Sequence, residues 1–243
     1  MHDWPGAVPK QAPPRGVVHC WRISLEFAEA SFDLFEQTLA PKEREEARRF
    51  AHEADYRRHV LGRGGLRMVL ANALGKLPRE IALNSDPHGK PSLEGGNLEF
   101  NVAHSGAIVL IAVTVGVPVG VDVEQIRPRP DWRGIARRFF HADEVGDIQT
   151  SNDADAMSAF YRCWTRKEAV GKALGLGLSF PLDRYRVSCR QDDKARLIFF
   201  PGEPPASFWT IADLNPAEGY AAALALPAPI DRIKTFTLKC DLL

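Results

Sequence analysis

Two stretches of this chain look alike, and few folds accommodate that. The first runs from Glu45 to Gly75 (EEARRFAHEADYRRHVLGRGGLRMVLANALG). The second opens at Gly134 with GIARRFFHADE and, after a polar insert at 151–155, closes at Gly175 with WTRKEAVGKALG. Each begins A-R-R-F-x-H, continues through a basic stretch with helical spacing, and ends A-L-G, where glycine suits a helix C-cap. Extended segments follow each: LEFNVAHSG and AIVLIAVTVG after the first, and YRVSC, RLIFF, SFWTIADL and YAAALAL after the second. Two helix-plus-antiparallel-sheet units in one order predict an α+β fold with a pseudo-twofold. The expected halves are residues 1–118 and 119–243, joined near Pro118. A cleft between similar halves is a common place for a ligand.

Composition narrows the partners. Lysine plus arginine number 31 and aspartate plus glutamate 31, so the formal net charge is zero and bulk-charge binding of nucleic acid is not expected. The longest apolar run, Ala107 to Val119, is broken by Thr114, Gly116 and Pro118 and is too short for a bilayer. The N-terminal MHDWPGAVPKQAPPRG lacks the apolar core of a secretory signal and reads as a loose arm. Cys20, Cys163, Cys189 and Cys240 are scattered without a C-x-x-C pair, which fits reduced thiols in a cytoplasmic protein.

The stretch VGVDVEQIRP, Val119 to Pro128, sets Asp122 and Glu124 in an apolar run. Alternation along a strand sends Val119, Val121 and Val123 to one face and both acids to the other. Each of two close carboxylates raises the other's pKa unless a cation stands between them. Taken alone, a D-x-E pair also fits a solvent-facing edge strand. In FYRCWTRKEAVGKALG, Trp164, Glu168 and Lys172 recur at i+4 on one helix face, presenting an acid and an ammonium beside an aromatic. An ordinary surface Glu–Lys pair has the same spacing. In HGKPSL, Lys90 lies between Gly89 and Pro91, placed either to meet a phosphate or to stand solvated. In FNVAHSG a strand ends at His104 among small residues.

The order of these blocks says more than any one of them. GKP, FNxxHS, GVDVE and FYxxWTxKEAxxKAxGxG, spread over Arg58 to Phe180, resemble the signature series of the Sfp-type 4′-phosphopantetheinyl transferases. The last block is similar to the subgroup marked by W-x-x-KEA. The resemblance implies a pseudo-dimeric monomer. It implies transfer of 4′-phosphopantetheine from coenzyme A to a serine of an apo acyl or peptidyl carrier protein, with magnesium. It assigns Asp122, Glu124 and Glu168 to the metal, and to Glu168 the further role of general base. Lys172 would stabilise charge on the phosphate in flight. His104 and Lys90 carry over as phosphate contacts, His104 being grouped also with the catalytic residues. Arg58 carries over as a nucleotide contact, with His59 and Arg63 as neighbours. The carrier proteins of this family are acidic, so the basic and apolar segment Gln125–Phe140, with Arg127, Arg129, Arg133, Arg137 and Arg138, is the expected docking surface.

Two departures from the family pattern stand out. Ala103 replaces the serine or threonine that often precedes the histidine, and PKEREEARRF mixes signs where relatives can place lysines, leaving Lys42, Arg44 and Arg48 unassigned. Two other classes are weighed. A magnesium nuclease needs a lysine two residues after an acid, which neither Glu124 nor Glu168 has. A non-catalytic module binding coenzyme A or carrier protein has no reason to keep all three acids and Lys172.

Overall fold

Strongly apolar strands and two long helices organise the chain, which a computed structural model describes over residues 4–6, 9–28, 31–85, 91–129, 131–149, 153–175, 180–190 and 192–238. It divides into two units, 1–116 with 231–243, and 117–230.

The first unit runs β1 (Val17–Ser24), α1 (Leu25–Ala28), α2 (Phe32–Thr38), α3 (Pro41–Ala47), α4 (Glu53–Leu74), β2 (Leu83–Ser85), β3 (Pro91–Leu93), β4 (Leu98–Ser105) and β5 (Ile108–Val115), and regains the chain's end as β11 (Arg232–Thr237). Its main sheet has the order β11-β1-β5-β4, with β1 parallel to β11 and antiparallel to β5. Trp21 and Ile23 of β1 stand opposite Ile111 and Val109 of β5, and these side chains bury against Leu61, Leu66 and Leu70 of α4. Fully burying side chains of this size stabilises by roughly 1.5–3 kcal/mol each.

The second unit repeats the order: β6 (Gly120–Gln125), α5 (Trp132–Phe139), α6 (Ala142–Gln149), α7 (Asp153–Leu174), the hairpin β7 (Arg186–Val187) and β8 (Leu197–Phe199), then β9 (Thr210–Leu214) and β10 (Tyr220–Leu226). Its sheet has the order β6-β10-β9 and is antiparallel throughout. Helices α4 and α7 are both 22 residues long and both end on a left-handed glycine, Gly75 at φ 65° and Gly175 at φ 73°. An L side chain resists that backbone, so the A-L-G endings act as C-caps in both units.

The repeat differs in register from the sequence match. Ala47 ends α3 and Arg48 to Phe50 follow it, whereas Ala136 to Phe139 close α5, one helix earlier. The true counterpart of α3 is α6. At the start of α3 the Ala40 amide donates to Glu43, which pairs with Arg67 of α4 at 2.6 Å. At the start of α6 the His141 amide donates to Glu144, which pairs with Lys167 of α7 at 2.8 Å. Basic residues gather at many helix C-termini because they oppose the helix dipole, so A-R-R-F recurs without common position. Residues 231–238 also depart from the expected second half: hydrogen bonds to β1 place them in the first unit. Long-range strand pairing of this kind leaves no mark in local pattern.

Among the described residues no helix is long and apolar enough to cross a membrane. Cys20, Cys163 and Cys189 are buried free thiols, and Cys240 lies outside the described residues.

Candidate functional site

Within the second unit, β6 turns Gly120, Asp122 and Glu124 toward α7. A Cβ on Gly120 would fall 2.0 Å from the Ala169 carbonyl oxygen and 2.5 Å from the Ala173 nitrogen, so only glycine lets the strand lie this close to the helix. The neighbouring strand helps. Opposite these three residues β10 presents Ala225, Ala223 and Ala221, where β5 of the first unit carries the larger Val113, Ile111 and Val109. Trp164 holds α7 through ring contacts with Phe139 and Phe140, and also packs on Phe160 one turn earlier in the same helix.

Close packing brings Asp122, Glu168 and Lys172 together. The Lys172 ammonium donates to Asp122 Oδ1 at 2.6 Å and to the Val121 carbonyl at 3.2 Å. Asp122 Oδ2 and Glu168 Oε1 are buried and accept no hydrogen bond. Burial pushes the Glu168 carboxyl up to about 7, helped by the negative charges of Asp122 and Glu124 and opposed by Lys172. Burial also raises Asp122, against the pull of Lys172. When both acids are ionised their charge exceeds that of the one lysine beside them, and this adds to burial in raising the Glu168 pKa.

The first unit shows what these positions hold when no such chemistry is present. The Leu25 amide donates to the Ala107 carbonyl, and the Ile126 amide donates likewise to the Gly219 carbonyl, which aligns β1 with β6. Asp122 then corresponds to Trp21, Glu124 to Ile23, and Glu168 to Met68; the three counterparts are 2%, 0% and 2% exposed. Apolar residues fill this place in one unit and carboxylates in the other.

The donor set suits magnesium in kind, being carboxylate oxygens, two of them unsatisfied. Among the described residues no group of three or more His, Cys, Asp and Glu side chains stands ready to hold a metal ion as it is.

The lysine of the KEA tripeptide has a different place. Lys167 is wholly buried, pairs with Glu144, and donates to the Leu182 and Tyr185 carbonyls at 2.8 and 2.7 Å. Sequence reasoning missed Glu144, although its position three residues after the helix-initiating His141 is the pattern of a capping carboxylate. It missed Gly120 as well; its signal was a glycine opening an otherwise β-branched strand.

Within the first unit a separate cleft of about 170 Å³ gathers Arg58, His59, Gly62 and Arg63 from α4 with Val102 and His104 from β4. Four residues named from the sequence thus meet around one cavity. Arg58 is held by an ion pair with Asp55 and donates to the Gly106 carbonyl at 3.3 Å. Burial, then the charge of Arg63, lowers the pKa of His59. Lys90 lies outside the described residues, while the next residue, Pro91, lines the cleft. Ala103 is buried, and alternation along β4 turns its methyl to the face opposite Val102 and His104. Arg44, one of the unassigned basic residues, donates to the Gln37 carbonyl.

In the expected docking segment, Arg127, Arg129, Arg133, Arg137 and Arg138 are all exposed. Phe140 is core, stacked on Phe160 at 5.4 Å, whereas Phe139 is 37% exposed. Arg133 lies over the buried Trp132 ring at 4.3 Å.

Residues 118–225 match the model of the 4′-phosphopantetheinyl transferase superfamily, and residues 25–116 match the 4′-phosphopantetheinyl transferase N-terminal model. The chain is 32% identical over 231 residues to the 4′-phosphopantetheinyl transferase HetI of Nostoc sp. strain PCC 7120, covering 93% of this chain and 94% of that one. It is 31% identical over 196 residues to the 4′-phosphopantetheinyl transferase Sfp of Bacillus subtilis strain 168, covering 80% and 85%.

Proposed function

Because the chain belongs to the 4′-phosphopantetheinyl transferase superfamily and transfers phosphopantetheine to a carrier protein, we propose which of its residues carry out each part of that reaction. The donor is coenzyme A, and the acceptor is a serine hydroxyl of an apo acyl or peptidyl carrier protein. Arg58, Arg63 and His104 hold phosphates of the nucleotide in the first unit's cleft, with Lys90 as a further contact. Asp122, Glu124 and Glu168 hold magnesium, which when bound neutralises the pyrophosphate.

The observation that carries this reading is the pair of buried, unsatisfied oxygens Asp122 Oδ2 and Glu168 Oε1 beside Lys172. Glu168 takes the proton from the serine hydroxyl as its oxygen bonds to phosphorus. The phosphorus–oxygen bond to adenosine 3′,5′-bisphosphate breaks in the same displacement. Without a cation burial pushes this carboxyl up to about 7, and a cation bound beside it would hold it ionised, the form that accepts a proton. Lys172, fixed by Asp122 and the Val121 carbonyl, offers charge to the departing phosphate at no cost in reorganisation. The exposed arginines of 127–138 meet the acidic carrier protein. Buried free thiols support a reducing, cytoplasmic setting.

The test is incubation of apo carrier protein with coenzyme A, magnesium and enzyme, followed by intact-mass measurement. A gain of one phosphopantetheinyl group that vanishes with EDTA and with Asp122→Asn is the expected result. Transfer undiminished by either change would overturn the assignment of the acids.

A further inference from the structure

Each unit has a cleft at the same place in its fold. In the first, Arg58 and Gly62 of α4 face Val102 and His104 of β4. In the second, a cleft of about 260 Å³ is lined by Ser158, Arg162 and Thr165 of α7 with Asp213, Asn215 and Tyr220. The lining positions correspond. Ser158 and Arg162 stand in α7 where Arg58 and Gly62 stand in α4. Ala103 pairs with Leu110 and Leu214 with Ala222, so Val102 matches Asp213 and His104 matches Asn215. A Cβ on Gly62 would touch Val102 and Val109; in the second unit the same neighbours are Asp213 and Ala221, and both line the cleft with Arg162.

The basic residue has therefore moved one helical turn while the cavity has stayed. Arg166 spends both Nε and Nη2 on the Asp213 carboxylate, at 2.8 and 2.5 Å. Arg162 gives only Nη1, to the Cys189 carbonyl at 2.7 Å. Among the described residues no carboxylate lies within ion-pair distance of Arg162. Burial and the charge of Arg166 both work against its cation, with Asp213 and Asp155 pulling the other way. A half-buried guanidinium with planar donors left over, at the mouth of a polar cleft, is built for an oxyanion.

We propose that this second cleft binds a phosphate group, with Arg162 supplying the charge and Ser158 a neutral donor. The inference rests on Arg162 and, through the duplication, on the reading of the first cleft as a phosphate site.

Titration of the full chain with inorganic phosphate, followed by backbone amide NMR, tests it. Saturable shifts are expected over 158–165 and 213–222. Arg162→Gln should weaken them by roughly tenfold. Since Arg162→Gln also removes the Cys189 contact, Ser158→Asp provides a second variant that leaves that contact intact and sets a carboxylate against the anion. Arg58→Ala should leave these shifts unchanged. Absence of saturable shifts at these amides, their survival in both α7 variants, or their loss in Arg58→Ala would each overturn the proposal.

Discussion

Glu168 occupies in α7 the position that Met68 occupies in α4, on the same turn of a helix of the same length packed on the same face of its sheet. Met68 is 2% exposed in an apolar core, and Glu168 stands among carboxylates with one oxygen unsatisfied. The fold therefore offers a buried site there, and the acid is held against the preference of the surroundings for a neutral group.

Stability against pH exposes that tension. The folded-state pKa of Glu168, about 7, lies above its ordinary 4.5, so between those values the folded chain binds the proton more tightly than the unfolded one. Stability from this group is present below pH 4.5 and is lost as pH rises through 7. Glu168→Gln should therefore gain on the order of 2 kcal/mol over the parent at pH 8 and little at pH 4.5, read by urea denaturation without divalent ions. An equal effect at both pH values would show that the carboxyl is not strained. The same variant should lose transfer.

The two lysines of KEAVGK should separate. Lys167→Met strands Glu144 and should cost about 3–5 kcal/mol, only partly recovered by adding Glu144→Leu, which leaves the His141 and Val187 amides without their acceptor. Lys172→Met leaves the buried Asp122 without its cation and should also destabilise, by less than Lys167→Met because Lys172 is 25% exposed, while losing most transfer. Thermal melts and the carrier-protein mass assay on the same preparations decide this.

In the first unit's cleft, Arg58→Ala and Arg63→Ala should each raise the KM for coenzyme A by roughly tenfold, with a steep salt dependence. Ala103→Ser should leave that KM unchanged, because its side chain is buried on the opposite face of β4. A lower KM in Ala103→Ser would mean the hydroxyl reaches the ligand after all.

Charge reversal at Arg129 should raise the KM for carrier protein several-fold while the KM for coenzyme A holds, since rim charges act mainly on association. Arg133→Glu adds the loss of its stacking on Trp132 and should show a larger effect. If both constants move together, docking lies elsewhere.

The sequence by itself determined the repeated order of elements, the A-L-G helix ends and the face shared by Asp122 and Glu124, because each follows from a period of 2 or 3.6 or from the φ of glycine. It also led to Glu168 and Lys172, one turn apart on a helix. Tertiary structure alone decided the rest. The Ala-R-R-F match fell between non-equivalent helices, β11 returned to β1, Lys167 turned into the core while Lys172 met Asp122, and Gly120 proved to be what closes strand on helix. These depend on contacts between residues 15 to 215 positions apart, from Lys167 with Leu182 to Arg22 with Thr237. Local propensity carries no record of such partners; only the packing of one face against another selects them.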